Sequence, residues 1–388
     1  MIVSFRKGVK ASEWLADHGY KPEDIVTAFG RIAVFKTGMP LPPSDDILDV
    51  EDGDKVLTTT DQALSFGPDW SGDSWPLARV IRRAAPWDVD HLRHPINTFF
   101  TCARDGSGVD IYFLDSGINT SHIEFSGGRF ENTYFPFGLG EGHGSMTASA
   151  SAGNTCGVAR GALVFCFQWI NSTSGFLADA LTALGQIDTH YAGRAGLNRP
   201  AVLAMEFDGT GSSSAFEAAV SDLIDDGMVC LGAAGNAGAE ISSGTHYPMT
   251  YTDVICVGGI GPADLPGYFL RPNSIGGLSR TNWGARVDVM APGQLQRCAQ
   301  WDDNSNYVVF GGSTSGALAV AAGVVACMLE GHGRLSTRTE VQAVRNHVIS
   351  TATTGALRNP AGYGMTTLPD RILYLDPVQV APETITGI

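Results

Sequence analysis

The sequence predicts an α/β protein in which a large three-layer domain, built on a mostly parallel central sheet, follows a small α+β unit. Beyond Gly108, short and continuous apolar runs alternate with helical segments, which is typical of a parallel sheet covered on both faces. Residues 58–76 are polar, rich in turn residues and without periodicity. This stretch predicts an exposed linker between the two units.

The first unit shows the patterns of short strands around one helix. Ser12 is a candidate N-cap and Gly19 a helix stop, and apolar residues alternate on both sides of Gly30 as in a β-hairpin. The predicted elements are a strand at Ile2–Phe5, a helix from Ser12 to about His18, hairpin strands at Ile25–Phe29 and Arg31–Phe35, and an extended stretch from about Ile47 to Leu57.

Composition limits the classes of partner. The 388 residues are 44% hydrophobic, enough for a sizeable core, and carry a net charge of -15, which repels nucleic acid and anionic lipid. We therefore expect protein or peptide partners, with no nucleic acid and no membrane. The longest apolar run, Gly316–Leu329, is too short to cross a bilayer and predicts a buried helix.

Cysteine spacing and the amino terminus carry further expectations. The seven cysteines show no C-x-x-C spacing, so we interpret them as small buried hydrophobes. Residues 1–30 contain no continuous hydrophobic stretch, which suggests an intracellular protein or a trimmed secreted precursor. A local group of arginines is interpreted as a solvated face: Arg79, Arg82, Arg83 and Arg93.

Two candidate catalytic residues follow glycine-rich or strand-ending patterns. Asp115 ends the apolar run Val109–Leu114, at the carboxyl edge of the sheet, where open α/β sheets bind their ligands. His143 lies in a glycine-rich loop just before the small-residue segment 145–153, which predicts a closely packed helix. Each pattern alone is more often structural, as a turn or as an exposed loop.

Two more candidates lie at the same edge. Asn236 follows the strand Met228–Ala234, and its amide can donate a hydrogen bond there. Ser315 precedes the buried helix Ala317–Leu329, whose free N–H groups and dipole favour an oxyanion. Alone, Asn236 is equally a turn residue and Ser315 equally an N-cap.

Together these residues fill all the roles of nucleophilic catalysis by serine. Ser315 would attack, His143 would act as general base, Asp115 would orient the imidazole, and Asn236 with the Ser315 backbone N–H would bind the oxyanion. The chain order Asp, His, Ser differs from the orders of chymotrypsins and α/β-hydrolases.

Several motifs resemble the subtilisin-like serine proteases, and within them the proteinase K branch, over nearly the whole chain. They are VDIYFLDSGINTSHIEF around Asp115, GHGSMTASASAG around His143, LGAAGN ending in Asn236, and GSTSGALAVAAG around Ser315. The resemblance implies a subtilisin-like fold and a serine endopeptidase that hydrolyses peptide bonds through an acyl-enzyme.

The amino-terminal residues 1–35 resemble the propeptide of that family, a ferredoxin-like folding chaperone that inhibits by placing its carboxyl tail in the active site. WPLARV, residues 75–80, resembles the start of a mature enzyme, which implies self-processing between about Leu57 and Ser74. The implied division is a propeptide domain at 1–60, a linker at 61–76, a peptidase domain at 77–376 and a carboxyl tail at 377–388.

The motifs also depart from the family pattern. Met146 replaces a second histidine, Ser313 a glycine, Gly316 a methionine and Ala319 a proline. These changes predict a lower catalytic efficiency, because a displacement of the nucleophile by roughly 1 Å costs about a hundredfold.

The substrate-binding segments are assigned by the same resemblance. One edge of the cleft is expected at Ser172, Thr173, Ser174, Gly175 and Phe176, and the other at Glu206, Phe207, Asp208 and Gly209, where the family commonly has Ser-Leu-Gly-Gly. An acidic side chain at 206 or 208 predicts a preference for basic or small P1 residues.

No cofactor is needed for this chemistry, but the resemblance implies a structural calcium. Asp288 falls at a calcium-binding position of the proteinase K branch, with carbonyls near Thr252 and Val254 as companions, and calcium prefers such hard oxygen ligands.

Two alternatives to an active endopeptidase stay open. One is a locked zymogen, or a non-catalytic structural or binding component with a protease fold. The other is a small-molecule binder on a doubly wound sheet, although no G-x-G-x-x-G loop follows the first strand of the large domain.

Overall fold

A computed structural model gives the architecture of most of the chain. The structure describes residues 1–22, 25–29, 31–36, 41, 44, 46–51, 56–58, 75–83, 100–140, 142–171, 174–261, 264–272, 278–310, 312–358, 365 and 367–388. The described helices are α1 (Ala11–Asp17), α2 (Trp75–Val80), α3 (His143–Ala152), α4 (Leu177–Gly193), α5 (Ser214–Asp225), α6 (Thr314–Leu329) and α7 (Arg338–Thr351).

Nineteen strands are described in the same ranges. They are β1 (Ile2–Phe5), β2 (Ile25–Phe29), β3 (Ile32–Phe35), β4 (Ile47–Glu51), β5 (Val56–Thr58), β6 (Asp110–Asp115), β7 (Phe130–Tyr134), β8 (Leu163–Gln168), β9 (Ser174–Phe176), β10 (Ala201–Met205), β11 (Gly209–Thr210), β12 (Val229–Ala233), β13 (His246–Tyr247), β14 (Ile255–Ile260), β15 (Tyr268–Pro272), β16 (Leu278–Arg280), β17 (Val289–Pro292), β18 (Gln296–Ala299) and β19 (Tyr307–Phe310).

The large domain is organised around a seven-stranded parallel sheet with the order β17-β14-β12-β10-β6-β8-β7. Every residue of β6, β10, β12 and β14 is buried, because helices cover both faces of the sheet. The buried helix α6 crosses β10, β12, β14 and β17 and packs along α3, while α4 packs on α5. The predicted α/β class and the central parallel sheet are confirmed.

The amino-terminal unit is a four-stranded antiparallel sheet with the order β2-β3-β1-β4, carrying α1 on one face. Phe5, Trp14 and Phe35 form its own small core. Its helix begins at Ala11, with Lys10 as a cap that makes no side-chain hydrogen bond. The prediction of Ser12 as N-cap is therefore wrong, because the buried Ala11 joins the small core and extends the helix backwards.

The opposite face of this small sheet packs against the large domain. Ile2, Ile32 and Val34 belong to the main hydrophobic core, whereas their neighbours along the strands face α1. Two ion pairs reach helix α5 from the rim of the sheet: Lys7 Nζ lies 2.8 Å from Asp225 Oδ2, and Arg31 Nε lies 3.0 Å from Asp222 Oδ2. The predicted extended stretch after residue 47 is two strands, β4 in this sheet and β5 outside it.

The arginines around α2 differ in exposure: Arg79 is buried, whereas Arg83 is exposed. Arg79 is fully buried and forms a forked ion pair with Asp264, with nitrogen to oxygen distances of 2.7 and 3.1 Å. Arg83 lies over the ring of Tyr374, 3.8 Å from its centroid. That interpretation is wrong for Arg79, and Arg93 lies outside the described residues.

The cysteines and the carboxyl-terminal residues are packed into the large domain. Six cysteines are buried, Cys102 is partly buried, and none forms a disulfide, as expected. Burial raises the pKa of the Cys256 and Cys298 thiols to about 12.

The carboxyl-terminal residues pack on the large domain: Glu383 forms an ion pair with Arg104, and Ile385 is buried. Among the described residues, no helix has the length and apolar character that a membrane span requires.

Candidate active site

Asp115 and His143 form a buried hydrogen-bonded pair. His143 Nδ1 lies 2.7 Å from Asp115 Oδ1, and both side chains are essentially inaccessible. Asp115 also accepts hydrogen bonds from the Ser116 backbone N–H at 2.6 Å and from Thr147 Oγ1, which lies 2.8 Å from Oδ2. Because a carboxylate only accepts, Nδ1 is the donor, and the basic lone pair of a neutral imidazole is left on Nε2.

A close approach of backbone brings the two residues together. Strand β6 ends at Asp115, and α3 begins at His143. The Gly144 N–H donates to Ser116 Oγ at 3.0 Å, and a Cβ atom at Gly144 would lie 2.4 Å from the Gly117 carbonyl oxygen. Glycine at 144 is therefore required for the helix to begin against the turn that follows Asp115.

Ser315 lies in the first turn of α6 and is 4% exposed. The N-cap of this helix is Ser313, whose hydroxyl accepts the backbone N–H groups of Ser315 at 3.1 Å and of Gly316 at 3.3 Å. The N-cap alternative for Ser315 is thus filled by its neighbour. Ser315 is placed where the dipole of the helix favours negative charge.

The aromatic ring of Phe310 connects the serine segment with the histidine. Its centroid lies 6.4 Å from that of His143 in an edge-on arrangement. A Cβ atom at Gly316 would meet Phe310 ring atoms at 2.9 Å, so the ring occupies space that a side chain at 316 would need.

The departures from the family motifs gather around this ring. Met146 and Ala319 are buried in one apolar cluster with Phe310, Cys298 and Ala150. The small residues at 316 and 319 and the apolar residue at 146 are therefore mutually adjusted. This packing gives a physical reason for three of the four departures, and the expected loss of efficiency stays untested.

Asn236 is held against the residue that precedes Ser315. Its Oδ1 accepts the Thr314 backbone N–H at 2.9 Å and lies 3.1 Å from Thr314 Oγ1. The same hydroxyl accepts the Gly235 N–H at 3.0 Å. Since Oδ1 is engaged by Thr314, the amide Nδ2 is the end of the side chain that can donate into the crevice.

One extended segment, residues 56–58, contacts both of the segments that are predicted to form the edges of the cleft. Strand β9, which contains Gly175 and Phe176, pairs antiparallel with β5 of the amino-terminal unit: Val56 is opposite Phe176 and Leu57 is opposite Gly175. Strand β11, which begins at Gly209, also contacts β5. Residues 56–58 therefore contact both segments assigned to substrate binding, although Ser172 and Thr173 are outside the described residues.

The predicted substrate-binding segment 206–209 pairs with a residue that the sequence analysis missed, His246. Asp208 Oδ1 lies 2.8 Å from His246 Nδ1, with side chains 21% and 15% exposed. The hydrogen bond to Asp208 raises the pKa of His246 above its ordinary value, although burial opposes this. A Cβ atom at Gly235 would lie 2.5 Å from Asp208 Oδ2, so the carboxylate is next to the Asn236 loop. Glu206 and Phe207 are buried.

The surroundings of Asp288 do not fit a calcium ion. Its carboxylate, which is almost fully buried, accepts hydrogen bonds from the guanidinium groups of Arg286 and Arg345. Arg286 also donates to the Val254 carbonyl at 2.6 Å and to the Tyr251 carbonyl at 2.7 Å, one residue before the expected Thr252. These donors occupy the oxygens that a cation would need. Among the described residues, no cluster of histidine, cysteine and carboxylate side chains could hold a metal ion.

Other supporting residues were also missed. Thr147 follows His143 by one helical turn, and this spacing on a predicted helix could have indicated it. His246, Arg286 and the capping role of Ser313 depend on contacts with distant segments, and no local pattern indicates them.

Comparisons with known proteins identify the family and the fold. The model described as Peptidase_S8, the "Subtilase family", matches residues 106–364. A solved structure, that of a cold adapted subtilisin-like serine proteinase, superposes with a TM-score of 0.62 at 26% identity, covering 78% of this chain and 98% of that one. The chain belongs to the subtilase family and has its fold.

Two relatives show the extent of the likeness. "Alkaline serine exoprotease A" of Vibrio alginolyticus is 28% identical over 82% of this chain, and "Extracellular serine proteinase" of Thermus sp. (strain Rt41A) is 28% identical over 76%. The chain spans 54% of the length of the first relative and 68% of the second.

Proposed function

We propose that this chain is a serine endopeptidase that hydrolyses peptide bonds with Asp115, His143 and Ser315. The observation that carries the proposal is the buried hydrogen bond between His143 and Asp115, beside a helix that begins at Thr314 with Ser315 in its first turn. Membership of the subtilase family supports it.

The chemistry follows from these positions. His143 Nε2 takes the proton of Ser315 Oγ as that oxygen attacks the peptide carbonyl, and later gives it to the leaving amine. Asp115 holds the imidazole in the required tautomer and stabilises its charged form. Asn236 Nδ2 and the Ser315 backbone N–H bind the oxyanion of the tetrahedral intermediate.

We infer further that the amino-terminal domain, residues 1–60, is the chain's own inhibitor. Support comes from β5, the last described strand of that segment, which pairs with β9 in the direction an antiparallel substrate would take. The apolar face at Ile2, Ile32 and Val34 and the ion pairs to α5 keep the small sheet on the large domain. Self-cleavage between about Leu57 and Ser74 would convert this occupant into a separate peptide.

The acidic side chain at 208 supports a preference for basic or small P1 residues. Asp208 lies next to Gly235 and thus close to the oxyanion loop. A peptide-library profile dominated by Phe and Leu at P1 would contradict this part of the proposal.

The same contacts also favour a second candidate function, a permanently locked zymogen. The pairing of β5 with β9 and the ion pairs of the small sheet would suit a clamp that is never released.

Intact masses of the purified chain and of Ser315→Ala, taken side by side, distinguish the two functions. An active enzyme gives two fragments in the wild type and one full-length chain in the variant. Two uncleaved chains that also fail to react with a fluorophosphonate would reject the endopeptidase in favour of the locked form.

A further inference from the structure

We propose that the guanidinium group of Arg286 provides the cross-link that the family resemblance assigns to calcium, so that the stability of the fold does not depend on calcium. The inference rests on the Asp288 region and is independent of the proposed catalysis.

One planar cation connects both kinds of oxygen in this region. Arg286 Nη2 donates to the carbonyls of Tyr251 and Val254 at 2.7 and 2.6 Å, and Nη1 lies 3.0 Å from Asp288 Oδ2. Carboxylate and carbonyl oxygens are the ligands that a hard cation takes. The fixed fork of an arginine can hold several such oxygens at once.

A second guanidinium completes the charge balance. Arg345, from α7, lies 2.5 Å from Asp288 Oδ1 through Nη2, and the Cys256 N–H donates to Oδ2 at 3.0 Å. Two positive groups therefore face one carboxylate. A divalent ion would have to displace Arg286 and then lie against Arg345, which Coulomb repulsion disfavours.

The cross-link joins three parts of the chain. It ties the loop that follows β13 to the start of β17 through Arg286, and α7 to the same strand through Arg345. Side-chain exposure of 15% for Arg286 and 6% for Asp288 limits solvent screening, so removing one partner leaves a buried charge poorly compensated.

Thermal unfolding tests the proposal in full-length Ser315→Ala chain, which stays intact whether or not the wild type cleaves itself. The parent is expected to unfold at the same temperature in excess calcium chloride and in excess calcium chelator. Arg286→Ala should lower the midpoint by about 5 °C or more, and Arg286→Lys by less, because lysine keeps the charge without the fork.

A matched control is Arg297→Ala, which removes a guanidinium that lies over the Tyr307 ring, 3.6 Å from its centroid. A midpoint that falls in chelator and recovers with calcium would overturn the proposal. So would an Arg286→Ala variant that loses no more stability than Arg297→Ala.

A different observation carries a second inference, which rests on the proposed function. We infer that Ser313 is a positioning residue that restrains the oxyanion donor. Its fully buried hydroxyl accepts the Ser315 N–H at 3.1 Å, and that N–H is the proposed backbone donor to the oxyanion. A substrate oxygen must therefore replace Ser313 Oγ as the acceptor of this hydrogen bond. A residue without a hydroxyl at position 313 would leave the Ser315 N–H available to the oxyanion without this exchange.

The test compares Ser313→Ala with Ser313→Thr, which keeps a capping hydroxyl. Ser313→Ala should raise kcat on an amide substrate about two- to tenfold, the equivalent of one net hydrogen bond, with KM unchanged. A peptide aldehyde, whose adduct carries the oxyanion, should bind more tightly by the same factor. Ser313→Thr should resemble the wild type, and loss of the cap should lower the unfolding temperature of Ser313→Ala.

Fluorophosphonate labelling separates failure of this inference from failure of the proposed function. If Ser315 is labelled but Ser313→Ala shows an unchanged or lower kcat, the restraint does not exist. If Ser315 is labelled in neither protein, the serine protease mechanism itself is rejected.

Discussion

The proposed catalytic pair, Asp115 and His143, and the pair at the predicted substrate cleft, Asp208 and His246, both consist of an aspartate bound to a histidine, but their surroundings differ. Asp115 and His143 are sealed from solvent, and the carboxylate has three donors from one strand end and one helix. Asp208 and His246 are partly exposed, and they pair across the two short strands β11 and β13.

From this difference we expect the buried pair to act in the chemical step and the partly exposed pair to act in substrate recognition. A buried pair with several internal hydrogen bonds has one protonation pattern and one geometry, which a catalytic base requires. A partly exposed pair can gain or lose a proton and can be disturbed by a substrate side chain. Substitutions at the first pair should therefore reduce the turnover of every substrate, and substitutions at the second should change which substrates are preferred.

The largest expected effect is that of Asp115→Asn. The amide would present a donor to Nδ1 and favour the wrong tautomer of His143, so kcat should fall about 10⁴-fold, the loss known for this change in the triad of another serine protease. Burst kinetics with an activated ester would measure it. A loss below tenfold would remove Asp115 from the mechanism.

The elements that carry Asp115 and His143 could be predicted from the sequence because their signals are local. The apolar run before Asp115 made a buried strand, and the small residues after His143 made a close-packed helix. Parallel strands bring their carboxyl ends to one edge whatever the loops do. Asp115 could therefore be placed at that edge from local signals, whereas placing His143 beside it also relied on the family resemblance.

The pairing of Asp208 with His246 and the buried ion pairs of the arginines could not be deduced in this way. His246 meets Asp208 only because β13 pairs with β11, and Arg79 is buried only because Asp264 lies opposite its guanidinium. Charged residues are usually exposed unless they are paired, and their partners are distant in sequence. The same reason hid the role of Arg286.

The next largest effect is expected for Asn236→Ala. Loss of one oxyanion donor should reduce kcat about 10²- to 10³-fold, a range that comes from subtilisin itself, with KM nearly unchanged. Steady-state kinetics on one peptide substrate would measure it. Since Asn236 also binds Thr314, Thr314→Val serves as the control for indirect displacement of Ser315, and an equal loss in both variants would argue against direct donation.

A smaller loss is expected for Thr147→Val, which keeps the shape and removes the donor to Asp115 Oδ2. We expect activity to fall about tenfold, because Asp115 loses a hydrogen bond that holds its carboxylate in position against His143, and a hydrogen bond to a charged group contributes roughly 1.5–3 kcal/mol. The carboxylate would then stabilise the imidazolium more strongly, so the acid limb of the pH profile should move to higher pH. An unshifted limb would indicate a role in packing only.

The smallest expected effect distinguishes the pair of Asp208 and His246 from the pair of Asp115 and His143 most directly. The raised pKa of His246 means that its ion pair with Asp208 is complete below about pH 6.5, the ordinary value for histidine, and is lost as pH rises through the folded-state value. Above that point His246 no longer carries the positive charge that offsets Asp208, so the ratio of kcat/KM for an Arg over a Leu P1 substrate should rise, by about three- to tenfold. Asp208→Asn should flatten this dependence while leaving kcat on a small P1 residue near the wild-type value. If the ratio in wild type were independent of pH, Asp208 and His246 would not face the substrate. If Asp208→Asn slowed all substrates equally, Asp208 would act in catalysis and not in substrate preference.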